Sequence, residues 1–124
     1  MSYNIAVATS DGVNIDQGFG ICDLFTIYEV DENGQFKVIE KRDVTVRKEE
    51  LPKDDGGMKC GGRALVKSEK LSDCRAVICS EIGFRVRKDL NSRGISIFDM
   101  EEAIDPVIEK IIAFYEKTDK HNKG

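Results

Sequence analysis

The chain reads as one α/β domain, a five-stranded mixed sheet in the order 3-2-1-4-5 with helices on both faces. Three observations lead there. Through Val46 the sequence alternates short β-branched or aromatic runs with turn residues, the pattern of a meander. Beyond Gly61, stretches of helical spacing alternate with short apolar runs, the pattern of strand–helix units. The resulting order is β-β-β-α-β-α-β-α. If the first, fourth and fifth strands are parallel neighbours, right-handed crossovers give the stated strand order and bring the loops after strands one and four to one edge, beside the crevice of the sheet.

Each element has its own signal. Ile5-Ala6-Val7-Ala8 marks a first strand over 3–9, and Leu24-Phe25-Thr26-Ile27-Tyr28-Glu29-Val30 a second over 24–31. Asn33-Gly34 between the second and third strands predicts a type I′ hairpin, which needs φ > 0 at both central residues. Phe36, Val38, Val44 and Val46 carry period two through a third strand over 35–46. Pro52 and Gly56-Gly57 break any pattern over 48–59, which reads as a surface loop or a binding lid. Ala64, Leu65, Ser68 and Leu71 space a helix over 61–71. Arg75-Ala76-Val77-Ile78-Cys79-Ser80 is a buried strand, and Ile82, Val86 and Leu90 then mark a helix that Gly94 stops. A short strand over 95–98 follows. Asp105-Pro106 reads as an N-cap with proline at the first helical position, after a helical turn over 100–104. Val107, Ile108, Ile111, Ile112 and Tyr115 form the stripe of the last helix, and 117–124 is a polar, frayed end.

Composition narrows the function. The 124 residues suffice for a single domain with a real core. Hydrophobic residues make up 40% and charged residues 34%, normal for a soluble globular protein. No apolar run approaches the roughly 20 residues that cross a bilayer, and no signal-peptide pattern opens the chain, so a cytoplasmic protein without a membrane partner is expected. A net charge of −4 argues against nucleic acid as a partner. The four cysteines, Cys22, Cys60, Cys74 and Cys79, contain no C-x-x-C and match no usual zinc or ferredoxin spacing. The single histidine, His121, lies in the polar tail, which leaves no Ser-His-Asp or Cys-His pair. Catalysis is not expected.

The segment over 9–23 stands out. It holds Gly12, Gly18 and Gly20, Asp11, Asp16 and Asp23, with Phe19 between two glycines and Cys22 where the chain turns into the second strand. A loop of this length between two strands is more often functional than a plain reversal.

Ile5-Ala6-Val7-Ala8-Thr9-Ser10-Asp11-Gly12, then Phe19-Gly20, Asp23, Phe25 and Ile27-Tyr28, resembles the start of the dinitrogenase iron-molybdenum cofactor biosynthesis family, which includes NifX-like proteins and the carboxy-terminal domain of NifB-like proteins. The likeness continues through Cys60, from Cys74 to Gly83, and through Leu90 and Gly94-Ile95, covering about residues 4–116. It implies a ribonuclease-H-like fold. It also implies that an iron–sulfur or molybdenum-containing cluster is bound or carried during cofactor assembly, with assembly proteins as partners. Many members carry histidine directly before the Phe-Gly pair, where this chain has Gly18.

A metal–sulfur cluster is bulky, usually anionic and partly apolar. A site for it calls for thiolates, N–H donors, cations and glycines. Ser10, Asp11, Gly18, Phe19, Gly20 and Cys22 on the opening loop, with Cys60, Gly61 and Gly62 at the start of the first helix, form the candidate binding set. Cys60 is the candidate metal ligand, because Lys59, Arg63 and a helix start favour a thiolate there. It reads equally as a small residue packing at a glycine-rich helix start. Cys22 faces either the pocket or the core, and Phe19 is either a pocket wall or a core anchor. Cys74 and Cys79 read as packing residues. Arg85, Arg87 and Lys88 form a solvated face or a contact for a partner or anionic cluster. The rival readings are a metal-free module for a small anion or protein partner and, more weakly, a divalent-metal hydrolase, for which the first strand lacks an internal acid.

Overall fold

The strands β1 (Tyr3–Ala8), β2 (Leu24–Val30), β3 (Phe36–Asp43), β4 (Ala76–Cys79) and β5 (Ser96–Asp99) form one sheet in the order β3-β2-β1-β4-β5. The helices are α1 (Gly62–Lys70), α2 (Phe84–Ser92) and α3 (Ile104–Lys123). The structure is a computed structural model that describes residues 2–46 and 62–123, with side chains described at all of these except 62–65 and 118–123. The expected loop or lid over 48–59 lies outside the described residues. β1 pairs antiparallel with β2 and parallel with β4, which pairs parallel with β5, as the strand order expected from the sequence requires.

β1 is central, so it is apolar on both faces. Ile5 and Val7 point to one side and Ala6 and Ala8 to the other, as period two dictates. The first pair packs with Ile104, Val107, Ile108, Ile111, Ile112 and Tyr115, the stripe of α3. The second packs with Val86 and Leu90 of α2, with Leu71 just past α1, and with Phe19 and Phe25. Two cores therefore sandwich the sheet, and the small alanines on the second face leave room for the loop residue Phe19.

Three local expectations give way to side-chain or long-range bonding. The hairpin between β2 and β3 is not type I′, because Gly34 alone takes positive φ (+83°) and Asn33 does not. Asp31 causes this: its carboxylate accepts from the N–H groups of Asn33 (2.9 Å) and Gln35 (3.0 Å), and its carbonyl accepts from Gly34 N (3.1 Å). The product is a three-residue loop with glycine at the left-handed position. β3 stops at Asp43; Val44 and Val46 are still buried, Val44 through a 2.7 Å bond from its N–H to Asp23 O.

The expected helical turn over 100–104 is absent. Its backbone is used elsewhere: Ile15 N donates to Glu102 O (2.9 Å), Ile104 N donates to Val13 O (2.8 Å), and Asn14 bridges Ala103. α3 then starts at Ile104, which places Asp105 inside its first turn rather than at the N-cap. Pro106 is tolerated because first-turn N–H groups have no intrahelical acceptor. α3 continues through Lys123, beyond the frayed end expected from 117 on.

Candidate functional site

Parallel pairing places Ala8, Cys79 and Asp99 at one edge of the sheet, so the loops after β1, β4 and β5 begin side by side. β2 starts at the same edge, because Phe25 pairs with Ala8. The loop over 9–23 is tied down along its length. At its beginning, the Asp11 carboxylate accepts from the N–H of Val13 (2.8 Å), the N–H of Asn14 (2.9 Å) and Thr9 Oγ1 (3.1 Å). Gly12, at φ +77°, donates its N–H to Thr9 Oγ1 (3.0 Å). Ser10 donates its N–H to Asp16 Oδ1 (2.9 Å) and its hydroxyl to the same carboxylate. Ser10 and Asp11 thus spend their polar atoms inside the loop.

The backbone N–H groups of Asn14 and then Val13 hold the Asp11 carboxyl down to a pKa of about 2. A folded-state value below the unfolded one, near 3.9, stabilises the fold above pH 4, and that stabilisation is lost as pH falls from about 4 to about 2. Acid unfolding of the wild type is expected to have a component across that window. Asp11→Asn is expected to flatten it, as urea midpoints measured between pH 5 and pH 2 will show.

Further along, Ser80 N donates to Gln17 O (2.9 Å) and Phe19 N donates to Glu81 O (2.9 Å). These two bonds join the opening loop to the segment between β4 and α2, the juxtaposition that the strand order implies. The next turn closes with Cys22 N donating to Gly18 O (3.1 Å). A Cβ on Gly18 would stand 3.0 Å from Glu81 Cγ, so the missing side chain is what admits Glu81 there. Gly20 is different: it is exposed, and a Cβ there would meet nothing within 4 Å.

α1 supplies the third contact. Lys67 reaches the turn, donating from Nζ to Gly20 O and Cys22 O at 2.8 Å each. After α1 the chain passes Cys74 and gives the N–H of Arg75 to Asn4 O (2.8 Å), at the start of β1. The helix therefore runs from the edge just described toward the opposite end of the sheet, with Gly62 as its first residue. Cys60, two residues earlier in the sequence, and Gly61 lie outside the described residues.

Two residues of the candidate set face inward. Phe19 is 1% exposed, and its ring lies 5.5 Å from that of Phe25, which makes it a core anchor rather than a pocket wall. Cys22 is buried in the same cluster, with Sγ donating to Leu24 O (3.3 Å); burial pushes its thiol up. Burial likewise pushes Cys74 and Cys79 up to about 12. Among the described residues, no group of three or more His, Cys, Asp or Glu side chains could hold a metal ion. Val13 (61% exposed) and Ile21 (71% exposed) on the opening loop and Phe84 (80% exposed), the first residue of α2, are open to solvent. Arg87 pairs with Asp99 (3.0 Å), whereas Arg85 and Lys88 are exposed on α2.

Lys67 is the residue that sequence reasoning missed. Its signal was positional: it sits three residues after Ala64 and four before Leu71, on the apolar stripe of α1.

The family model for dinitrogenase iron-molybdenum cofactor proteins matches residues 1–114. The chain belongs to that family. Over 112 residues it is 37% identical to the FeMo cofactor biosynthesis protein NifB of Azotobacter vinelandii, a match covering 90% of this chain and 21% of that protein. It is 35% identical over 104 residues to NifB of Chlorobaculum tepidum, covering 84% and 22%. The chain thus spans about a fifth of the length of these relatives. A crystal structure from Methanocaldococcus jannaschii superposes with a TM-score of 0.57 at 20% identity, covering 91% of this chain and 90% of that one, which shows a shared fold. A second solved chain superposes at 0.61 and 21% identity. Among the described residues, no helix is long and apolar enough to cross a membrane.

Proposed function

We propose that this domain is a cytoplasmic carrier that binds an iron–sulfur or molybdenum-containing cluster during cofactor assembly, without catalysing a reaction on it. Membership of the iron-molybdenum cofactor family supports the class of cargo. The observation that carries the assignment to a place is the three-way junction at the sheet edge. There, residues 17–19 bond to 80–81, and Lys67 bonds to 20 and 22. The open turn at Gly20 thereby adjoins the helix that begins two residues after Cys60. The thiols of Cys74 and Cys79, pushed up to about 12 by burial, and the buried thiol of Cys22, whose Sγ donates to Leu24 O, are poor ligands, which makes Cys60 the metal ligand of the proposal. Exposed Ile21 and Phe84 suit either the apolar sulfide surface of a cluster or an assembly protein during transfer. For the fold, the strand order β3-β2-β1-β4-β5 with helices on both faces supports a ribonuclease-H-like class.

The test is anaerobic reconstitution with ferrous iron and sulfide, followed by gel filtration. Charge-transfer absorbance is expected to comigrate with the wild type and to be lost in Cys60→Ala. Its absence from the wild type would overturn the proposal. A metal-free binding module would instead show stabilisation by an anion or partner protein that Cys60→Ala leaves unchanged.

A further inference from the structure

Lys67 is 1% exposed, the one charged side chain among the described residues that is buried. Lysine is almost never fully buried unless paired. Here the ammonium donates to Gly20 O and Cys22 O at 2.8 Å each and lies 3.1 Å from Asp23 Oδ1. Three partners match the three protons that an ammonium offers. All of them come from one short stretch of the opening loop, while Lys67 itself belongs to α1, five residues after Gly62. The carbonyls are drawn inward by a charge rather than held by sheet or helix bonds, and Gly20 is left with open space beside its Cα. The Phe19 ring anchors the turn from within, and Lys67 fixes its distance from the helix.

We propose that Lys67 is the positioning residue of the cargo site: its ammonium locks the turn over 20–23 to α1, so that the open turn is held in one place to receive the cluster. This rests on the carrier reading given above. The lysine touches no cargo; it acts through the turn. Lys67→Met keeps the length of the stem and removes all three donors. Its two carbonyl partners then lack a donor, and the turn is expected to swing toward water to hydrate them while the core around Phe19 stays packed.

The experiment uses the full chain. In native-state amide exchange followed by NMR, Lys67→Met is expected to speed exchange at Phe19 and Cys22 by roughly tenfold to a hundredfold, the factor that goes with losing hydrogen bonds to a charged group. Amides of β1 and β4 should keep their wild-type rates. Unchanged exchange at Phe19 and Cys22, or the same acceleration throughout β1 and β4, would overturn the proposal, the second because it marks general destabilisation. In parallel, anaerobic titration with tetrathiomolybdate is expected to show weaker binding by about tenfold or more and a displaced charge-transfer band in Lys67→Met. Equal affinity and an identical spectrum would also overturn it. If the wild type itself takes up no tetrathiomolybdate or iron–sulfur cluster, the carrier reading fails, whereas the exchange data still decide whether Lys67 holds the turn. Should Lys67→Met not fold, Asp23→Asn changes only a carboxylate that is 59% exposed. It is expected to give the same local pattern at about twofold to fivefold, and unchanged exchange at Cys22 in that variant would count against the lock.

Discussion

Phe19→Ala is expected to lower the unfolding free energy by about 3–5 kcal/mol, a large share of the roughly 5–15 kcal/mol that holds a domain together. Phe19 sits on a loop but is buried like a core residue, tilted 58° against Phe25 and clustered with Ala6, Ala8, Val86 and Leu90. The alanines of β1 leave the space its ring fills, so truncation opens a cavity that the sheet cannot close. Phe19→Leu is expected to retain most of the stability, because it keeps much of the apolar volume. Urea denaturation of the three proteins measures both effects. A loss below about 1 kcal/mol for the alanine variant would mean that the ring lines an accessible pocket instead.

The buried thiols give the second large effect. Cys74 and Cys79 are raised from the ordinary value of 9.0 to about 12, chiefly by burial. Three pH units lower the thiolate fraction near neutral pH about a thousandfold, and the thiolate is the species that attacks an alkylating reagent or binds a metal. In the native protein at pH 8, both are therefore expected to react with iodoacetamide about a thousandfold more slowly than in urea, as mass spectrometry of timed samples will show. Cys22 is expected to be slowed as well, because burial raises it and its Sγ is bonded to Leu24 O. Substituting Cys74 or Cys79 with alanine is expected to leave the spectrum of a reconstituted cluster unchanged. A native rate close to that in urea would place these thiols at the surface and reopen them as ligands.

The sheet order was legible because its determinants are local and repetitive. A meander through Val46 followed by strand–helix units gave the order once right-handed crossovers set the first, fourth and fifth strands side by side, and the stripe from Val107 to Tyr115 does cover one side of the sheet. What escaped depends on contacts far apart in sequence or on a side chain competing with the backbone. Nothing periodic links 13–15 with 102–104, yet their backbones pair and displace the expected turn. Asp31 turned an Asn-Gly signal into a different hairpin by capturing two N–H groups. Ser10 and Asp11 looked like groups free to meet a ligand, and both are occupied within their own loop. Lys67 was hidden by the ordinary rule that lysines are solvated, although its place on the apolar stripe of α1 was in view. Of the candidate set, Gly18, Gly20 and the first residue of α1 belong to elements that meet at one edge, whereas Phe19 and Cys22 support that edge from inside.

The central claim is that cargo is received where the opening loop, held to α1 through Lys67, meets the segment over 80–83. Mapping amide chemical shifts of the full chain during anaerobic titration with tetrathiomolybdate tests it most directly. The perturbed amides are expected to cluster at 18–23, at 80–83 and in the first turn of α1. Perturbations confined to the opposite end of the sheet, around the hairpin at Gly34 and the residues beside Arg75, would contradict it.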